Sequence, residues 1–99
     1  MDIERRQEPQ RTILALKGRF DAHQVPRFKA QAEAFDEPLR LDLTHVNFID
    51  STALAAIINL YKRVREAGHT MSIGGLQDPV RVILEITGLY AILPIEEAS

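Results

Sequence analysis

An acid and two hydroxyls, Asp50, Ser51 and Thr52, stand where the sequence changes from a strand-like pattern to a helix-like one. Asp50 and Ser51 are both favoured N-cap residues, because their side-chain oxygens accept hydrogen bonds from the free N–H groups of a first helical turn. A hydroxyl at an exposed helix N-terminus is also a good position for a phosphate, since the helix dipole and those N–H groups stabilise an added charge of about −2. The residues therefore indicate either a helix cap or a phosphorylated serine.

Other catalytic or metal-binding chemistry has weaker support. Ser51 lacks the Gly-x-Ser-x-Gly surroundings of a nucleophilic serine, and His23, His45 and His69 fall on separate predicted loops or element ends. The chain has no cysteine, and the histidines have no spacing typical of metal ligands. Gly74-Gly75 lacks the Lys-Ser/Thr of a phosphate-binding loop and is interpreted as a turn that passes close to the next helix. We predict no catalytic residue, metal site or cofactor.

The elements that position the Asp50-Ser51-Thr52 run are predicted to alternate. Periodicity and turn residues indicate a weak edge strand within 1–11, strands at 12–16, 39–43, 48–49, 70–73 and 91–95, and helices at 25–35, 51–67 and 79–86. Turns are expected at 17–19 and 44–47, with Asp78 as the last N-cap and Gly68 as a left-handed residue after the long helix. This order indicates an α/β fold: a small, partly parallel mixed sheet of about four to five strands, flanked by about three to four helices.

The long helix that begins at Ser51 has two distinct faces. At about 100° per residue, one arc is apolar and is predicted to face the core; it consists of Ala53, Leu54, Ile57, Leu60, Tyr61, Val64 and Ala67. The opposite arc is small or polar and carries Ser51, Thr52, Ala55, Asn59, Lys62 and Glu66, with Ile58 beside it. Single exposed hydrophobic residues are common on protein surfaces, so an ordinary solvent-exposed position explains Ile58 as well as a contact site does. The small residues near the serine leave room for another protein to approach.

Size and charge restrict the class of protein. With 99 residues, 45% of them hydrophobic, the chain has room for one compact domain, with Phe28, Phe35 and Phe48 predicted in its core. Its 12 basic and 14 acidic side chains give a net charge of −2, which argues against nucleic acid as a partner. The amino terminus is charged, and the longest apolar run, Ala53–Ile58, is far shorter than the ~20 residues that span a bilayer. Together with the absence of cysteine, these features predict a soluble, cytoplasmic domain without membrane insertion.

Several runs of residues are together similar to one known family. They are Leu41-Asp42-Leu43, Val46 and the run Phe48-Ile49-Asp50-Ser51-Thr52-Ala53-Leu54. Gly18-Arg19-Phe20-Asp21 matches a Gly-x-aliphatic-Asp turn before the first helix, and the helix–Gly68–strand step and the Gly88-Leu89 pair match as well. This combination resembles the STAS domain, specifically the bacterial anti-sigma factor antagonists. Because it covers nearly the whole chain in register, the resemblance implies a single STAS domain over residues 1–99.

The resemblance implies a regulatory protein without catalysis of its own. In that family the unphosphorylated antagonist binds an anti-sigma factor, which is also an ATP-dependent serine kinase, and so releases a sigma factor for transcription. Phosphorylation of the serine directly after the aspartate breaks the complex, and a phosphatase restores it. For this chain the resemblance implies Ser51 as the phosphoacceptor and a partner-binding surface made of Asp21, Asp50, Thr52, Ala55, Ile58, Asn59 and Lys62.

The resemblance leaves one alternative function open, and the sequence departs from the family pattern in three respects. The alternative is an accessory STAS subunit that docks on the ATPase of an ABC-type transporter, with Ser51 unmodified. Ala53 replaces the glycine most common at its position, and Arg19 stands where an acidic residue is frequent, which could alter which partner is accepted. Family members usually carry a final helix, whereas this chain ends at Ser99, so apolar surface there could stay open or be covered by a second copy in a homodimer.

Overall fold

After an N-terminal hairpin, strands and helices alternate along the chain. The computed structural model describes residues 1–32 and 37–96. Its elements are β1 (Asp2–Gln7), β2 (Thr12–Phe20), α1 (Val25–Ala32), β3 (Leu39–Ile49), α2 (Ser51–Glu66), β4 (Met71–Gly74), α3 (Asp78–Ile86) and α4 (Leu89–Ile92). The strands form a sheet in the order β1-β2-β3-β4, in which β1 pairs antiparallel with β2 and the other neighbours are parallel. The predicted α/β class, with a mixed sheet and flanking helices, is confirmed.

Alternate residues of the two central strands form the middle of the core. Leu14 and Leu16 of β2 and Leu41 and Leu43 of β3 are at most 1% exposed, because successive side chains of a strand point to opposite faces. The predicted apolar arc of α2 adds five further buried side chains: Ala53, Leu54, Ile57, Leu60 and Val64.

The buried arc of α2 differs from the prediction at three positions. Tyr61 is only half-buried and Ala67 is exposed, although both were expected to face the core. Ala56, which belongs to neither predicted arc, is buried because α1 packs beside it and closes that side of the helix. A neighbouring helix therefore widens the buried side of α2 beyond the stripe that periodicity indicates.

β2 and β3 are both longer than the sequence predicts. The turn expected at 17–19 and the connection expected at 44–47 are wrong, since these residues lie in a parallel ladder that ends at Phe20 and Ile49. Irregularities of register on either side of Lys17 and Gly18 let the ladder continue past the glycine. These residues resemble turns locally, but the neighbouring strand supplies the hydrogen bonds that keep them extended.

The start of α3 lies one residue away from its predicted position. Gln77, and not Asp78, holds the N-cap position, and its side chain makes no hydrogen bond to the first turn. Instead, its amide Nε2 donates to the Thr44 carbonyl at 2.8 Å, which ties Gln77 to β3. Asp78 is already helical and pairs with Arg81 at 2.7 Å. The hydrogen bond from Gln77 to β3 therefore accompanies the shift of the N-cap from Asp78 to Gln77.

The Gly74-Gly75 pair packs against β3, and not against the next helix as predicted. A Cβ on Gly75 would overlap with the Thr44 hydroxyl and lie 2.9 Å from Asp42 Oδ1. Gly75 also has a φ of 75°, in the left-handed region that favours glycine. The pair thus lets the chain leave β4 in close contact with β3.

The strand predicted at 91–95 is wrong. Leu89–Ile92 forms α4, and only Ile95 pairs with the sheet, through an isolated parallel bridge to Ile73. The Ile73 N–H donates to the Pro94 carbonyl at 3.0 Å, and the Glu96 N–H donates to the Ile73 carbonyl at 2.7 Å. A short apolar run suits a strand and a helix equally well, and here contact with α3 accompanies the helical form.

The helix predicted to begin at Val25 is present as α1. Val25, Phe28 and Ala32 are its buried residues, as their spacing predicts, while the rest of the predicted helix, including Phe35, lies outside the described residues. The left-handed residue predicted after α2 is confirmed, since Gly68 has a φ of 85°. No helix within residues 1–32 and 37–96 is long and apolar enough to cross a membrane.

Candidate functional site

Two aspartates follow the carboxyl ends of β2 and β3. Phe20, the last residue of β2, pairs with Ile49, the last residue of β3, so Asp21 and Asp50 leave the sheet side by side. The Asp50 N–H donates to the Phe20 carbonyl at 3.3 Å and extends the ladder by one bond. The sheet therefore brings together two of the residues that the sequence analysis assigned to one surface.

The Asp50 carboxylate joins α2 to the turn that follows β2. Its Oδ1 accepts a hydrogen bond from the Ala53 N–H at 2.9 Å, which makes Asp50 the N-cap of α2. Its Oδ2 accepts from the Ala22 N–H, also at 2.9 Å. Capping satisfies one of the N–H groups that the first turn leaves without an intrahelical acceptor, and the second bond fixes the helix end against the 21–24 turn.

Ser51 is the first helical residue, and its side chain is exposed together with that of Thr52. Because Asp50 already caps the helix, the Ser51 hydroxyl is not needed for that purpose. The positive end of the helix dipole lies at the N-terminus of α2, beside Ser51. The first turn of α2 holds no acidic residue, whereas Arg63 and Arg65 lie in its last turn. A negative group attached to Ser51 would therefore be stabilised locally.

The exposed face of α2 continues away from Ser51 along the helix. Its members are small or polar and exposed: Ser51, Thr52, Ala55, Asn59 and Lys62. Ile58 lies beside them, half-buried and packed against the core. We call these six residues the α2 surface. The positions that periodicity assigns to the surface are thus accessible, and Ile58 adds part of an aliphatic side chain.

Asp21 lies on the turn next to the start of α2. Its Oδ1 accepts from the His23 N–H at 3.1 Å, and its Oδ2 lies 3.3 Å from Nε of Arg19. The side chain is only 22% exposed, so these contacts take up much of the carboxylate. Asp21 therefore shapes the 21–24 turn, which the Asp50–Ala22 hydrogen bond connects to α2.

Arg19 and Phe48 form a contact that the sequence analysis missed. Phe48 is half-buried, and not in the core as predicted, and the Arg19 guanidinium stacks over its ring at 3.8 Å from the centroid. The two residues are partners in the parallel ladder. Since Ile49 faces the core, alternation along β3 places Phe48 on the other face of the sheet. This alternation was the feature of the sequence that could have predicted Phe48 outside the core. The contact holds a cation close to Asp21.

The three histidines do not converge on a site. His23 lies in the turn after β2, His69 follows α2, and His45 lies within β3, so the prediction that His45 belongs to a connection is wrong. In the part of the chain that the structure describes, no group of three His, Cys, Asp or Glu residues could hold a metal ion. The site therefore combines an exposed serine with an accessible helix face and two neighbouring aspartates.

The chain is similar in sequence to proteins of one family. The family model of the STAS domain matches residues 2–99. A curated relative, the anti-sigma-B factor antagonist of Listeria monocytogenes, is 34% identical over 86 residues, which cover 83% of this chain and 75% of that protein.

Several solved structures are similar in fold. The anti-sigma factor antagonist SpoIIAA in its unphosphorylated form gives a TM-score of 0.81 at 14% identity, over 99% of this chain and 89% of that one. The Bacillus cell fate determinant SpoIIAA in the phosphorylated form gives 0.77 at 12% identity, over 99% and 92%. A sulfate transporter family protein from Wolinella succinogenes gives 0.77 at 19% identity, over 89% and 77%. At these identities the likeness shows the fold alone, so it does not separate a sigma-factor regulator from a transporter-associated domain.

Proposed function

The chain belongs to the STAS domain family, and we propose that it is an anti-sigma factor antagonist that is switched by phosphorylation of Ser51. The resemblance inferred from the Asp50-Ser51-Thr52 run and the residues around it is confirmed by the family match. The observation that carries the proposal is the exposed Ser51 hydroxyl, which stands on an α2 N-terminus already capped by Asp50. The 34% identity to the Listeria anti-sigma-B factor antagonist favours this role over the transporter-associated alternative.

In the unphosphorylated state, the α2 surface binds the anti-sigma factor, which then releases its sigma factor. The exposed Ala55 and the other small or polar side chains allow the partner to approach α2 closely. Ile58 contributes partial apolar contact, and Asp21 and Asp50 form the border of the surface next to Ser51. The chain supplies a binding surface and an acceptor hydroxyl, while the partner kinase supplies ATP and the catalytic groups.

Phosphorylation of Ser51 stops this binding without unfolding α2. The phosphate adds a charge of about −2 at the border of the docking surface, directly after the Asp50 carboxylate, and burying that charge under a partner is costly. The same charge lies at the positive end of the helix dipole, so the helix itself tolerates it. A phosphatase that removes the phosphate restores the binding surface.

Binding and phosphorylation of single-residue variants test the switch. We expect Ser51→Ala to bind the anti-sigma factor like the unphosphorylated wild type, and Ser51→Asp to bind at least about tenfold more weakly, because the added carboxylate must lose its water. Thr52→Ala is the control for the phosphorylated position: Thr52 is exposed on the same turn, and this variant should still carry phosphate on Ser51. The measurements are capture of partners from the native bacterium with each variant as bait, and mass spectrometry of the phosphorylated residue.

Two results would contradict the proposal. Equal binding of Ser51→Ala and Ser51→Asp to a captured kinase would show that charge at this position does not control the complex. An ABC-type ATPase held equally by both variants, with no phosphate on Ser51, would assign the chain to the transporter-associated role instead.

A further inference from the structure

Arg19 and Phe48 lie next to the candidate site and hold one another in place. The Arg19 guanidinium stacks over the Phe48 ring at 3.8 Å from the centroid, and the two residues are partners in the ladder between β2 and β3. Arg19 stands two residues before Asp21, and Phe48 stands two residues before Asp50. A guanidinium stacked on an aromatic face is restrained more than that of a free arginine side chain, so it can hold a neighbouring group in a fixed position.

Asp21 is the neighbour that the Arg19 guanidinium contacts. Nε of Arg19 lies 3.3 Å from Asp21 Oδ2, and the His23 N–H donates to Oδ1 at 3.1 Å on the other side of the carboxylate. The Asp21 carbonyl accepts from the Gln24 N–H at 3.0 Å, so Asp21 closes this turn through its backbone as well as its side chain. Because the Arg19 side chain is 63% exposed, its ion pair with Asp21 would be weak alone, and the stack on Phe48 adds the restraint that keeps the guanidinium at the carboxylate.

The 21–24 turn is bonded to the start of α2. One N–H of the turn donates to Asp50 Oδ2 at 2.9 Å, and the other oxygen of Asp50 caps α2. The contacts therefore form a closed cycle, which leaves β3 at Phe48, passes through Arg19 and the turn, and returns directly before Ser51. A change in the stack can thus reach the end of α2 that carries Ser51, although the stacked side chains belong to the sheet.

We propose that Arg19, held by Phe48, is a positioning residue for the border of the α2 surface beside Ser51. The inference rests on the proposed function and adds how that border is set: the stacked pair fixes Asp21 and the 21–24 turn against α2, so the partner meets a single arrangement. A surface that is already ordered binds more tightly, because less freedom is lost in the complex. Neither stacked residue needs to touch the partner for this effect.

The amide signals of the ¹⁵N-labelled chain test the positioning without any partner. Arg19→Gln should shift the signals of Ala22 and Ala53, whose N–H groups lie at the far side of the cycle, on the two oxygens of Asp50. Lys17→Gln is the matched control: Lys17 is an exposed cation of the same strand and no member of the cycle, so both signals should stay in place. Signals of Ala22 and Ala53 that do not move with Arg19→Gln would overturn the proposal.

Binding of the anti-sigma factor captured with the wild-type chain measures the effect on docking. We expect Arg19→Gln and Phe48→Leu each to weaken binding about fivefold, the scale set by one exposed cation–π contact together with one ion pair. Because the two side chains act as one unit, the double variant should bind no worse than either single variant. Phe48→Tyr, which keeps an aromatic face under the guanidinium, should bind more tightly than Phe48→Leu. Additive losses in the double variant would show that the two side chains act separately, against the proposal.

The two proposals fail in different ways. If Arg19→Gln shifts the two amide signals and weakens binding while Ser51→Ala and Ser51→Asp bind alike, the positioning role stands and the switch is wrong. If Ser51→Asp loses the partner while Arg19→Gln binds it like the Lys17→Gln control, the switch stands and the positioning role is wrong. Support for both requires weaker binding with Arg19→Gln, loss with Ser51→Asp and retention with Lys17→Gln.

Discussion

Asp50 uses its two carboxylate oxygens for two different structural tasks. One oxygen caps α2 through the Ala53 N–H, and the other holds the Ala22 N–H of the neighbouring turn. This pair of bonds fixes the direction in which α2 leaves the sheet, and with it the position of Ser51 relative to Asp21. Only a side chain with two acceptors can make both bonds, because an asparagine amide presents one acceptor and one donor group.

Substitution of Asp50 tests these two tasks. We expect Asp50→Ala to lower the free energy of unfolding by about 2 kcal/mol, since it removes a helix cap and a second hydrogen bond. Asp50→Asn should cost about 1 kcal/mol, because its amide oxygen can still accept from Ala53 while Ala22 loses its acceptor. Urea unfolding of both variants measures the difference. Asp78→Ala is the control: its side chain is 89% exposed and does not cap α3, so it should cost less than about 0.5 kcal/mol.

Among the elements, those built from local pattern were predictable and those completed by neighbours were not. The helix from Ser51, its exposed face and Gly68 after it follow from periodicity and end signals, which need no knowledge of the rest of the fold. The extension of β2 and β3 past Gly18 depends on hydrogen bonds between strands far apart in sequence. The Asp50–Ala22 bond of the candidate site escaped prediction for the same reason, since it requires two parallel strands that end in register.

The segment between β4 and α3 supplies a test of close packing between elements. Gly75→Ala should lower the free energy of unfolding by about 3 kcal/mol, because the new Cβ meets Thr44 and Asp42 while the backbone stays in the left-handed region. Gly68→Ala is a matched control with a similar φ, and its Cβ would have no heavy atom within 4 Å. It should therefore show the backbone strain alone, about 1 kcal/mol. Equal losses in urea unfolding would show that contact with β3 does not restrict Gly75.

At the scale of the whole molecule, Asp42 lies on the sheet face opposite the buried leucines, where it interacts with Thr44, Arg40 and Arg6. Thr44 donates both its N–H, at 2.9 Å, and its hydroxyl, at 2.5 Å, to Asp42 Oδ1. Burial alone would raise the pKa of Asp42, but the two Thr44 hydrogen bonds and the positive charges of Arg40 and Arg6 outweigh it, so the pKa lies below its ordinary value. The charged form is therefore favoured more in the folded state than in the unfolded chain.

This lowered pKa makes stability depend on pH in a predictable direction. An acid whose folded pKa is depressed contributes stability above its unfolded pKa, about pH 4, and loses it as the pH falls through the folded value. At neutral pH, Asp42→Asn should therefore cost about 1 kcal/mol, because the Arg6 and Arg40 attractions vanish while an amide oxygen can still accept from Thr44. As the pH falls below the ordinary aspartate pKa and through the lower folded value, the wild-type carboxyl gains its proton, so the two urea midpoints should converge. Asp2→Asn, at an exposed position on β1, controls for the loss of a carboxylate elsewhere in the sheet. A gap between wild type and Asp42→Asn that stays constant from neutral pH into acid would mean that neutral hydrogen bonding, and not charge, gives Asp42 its effect on stability.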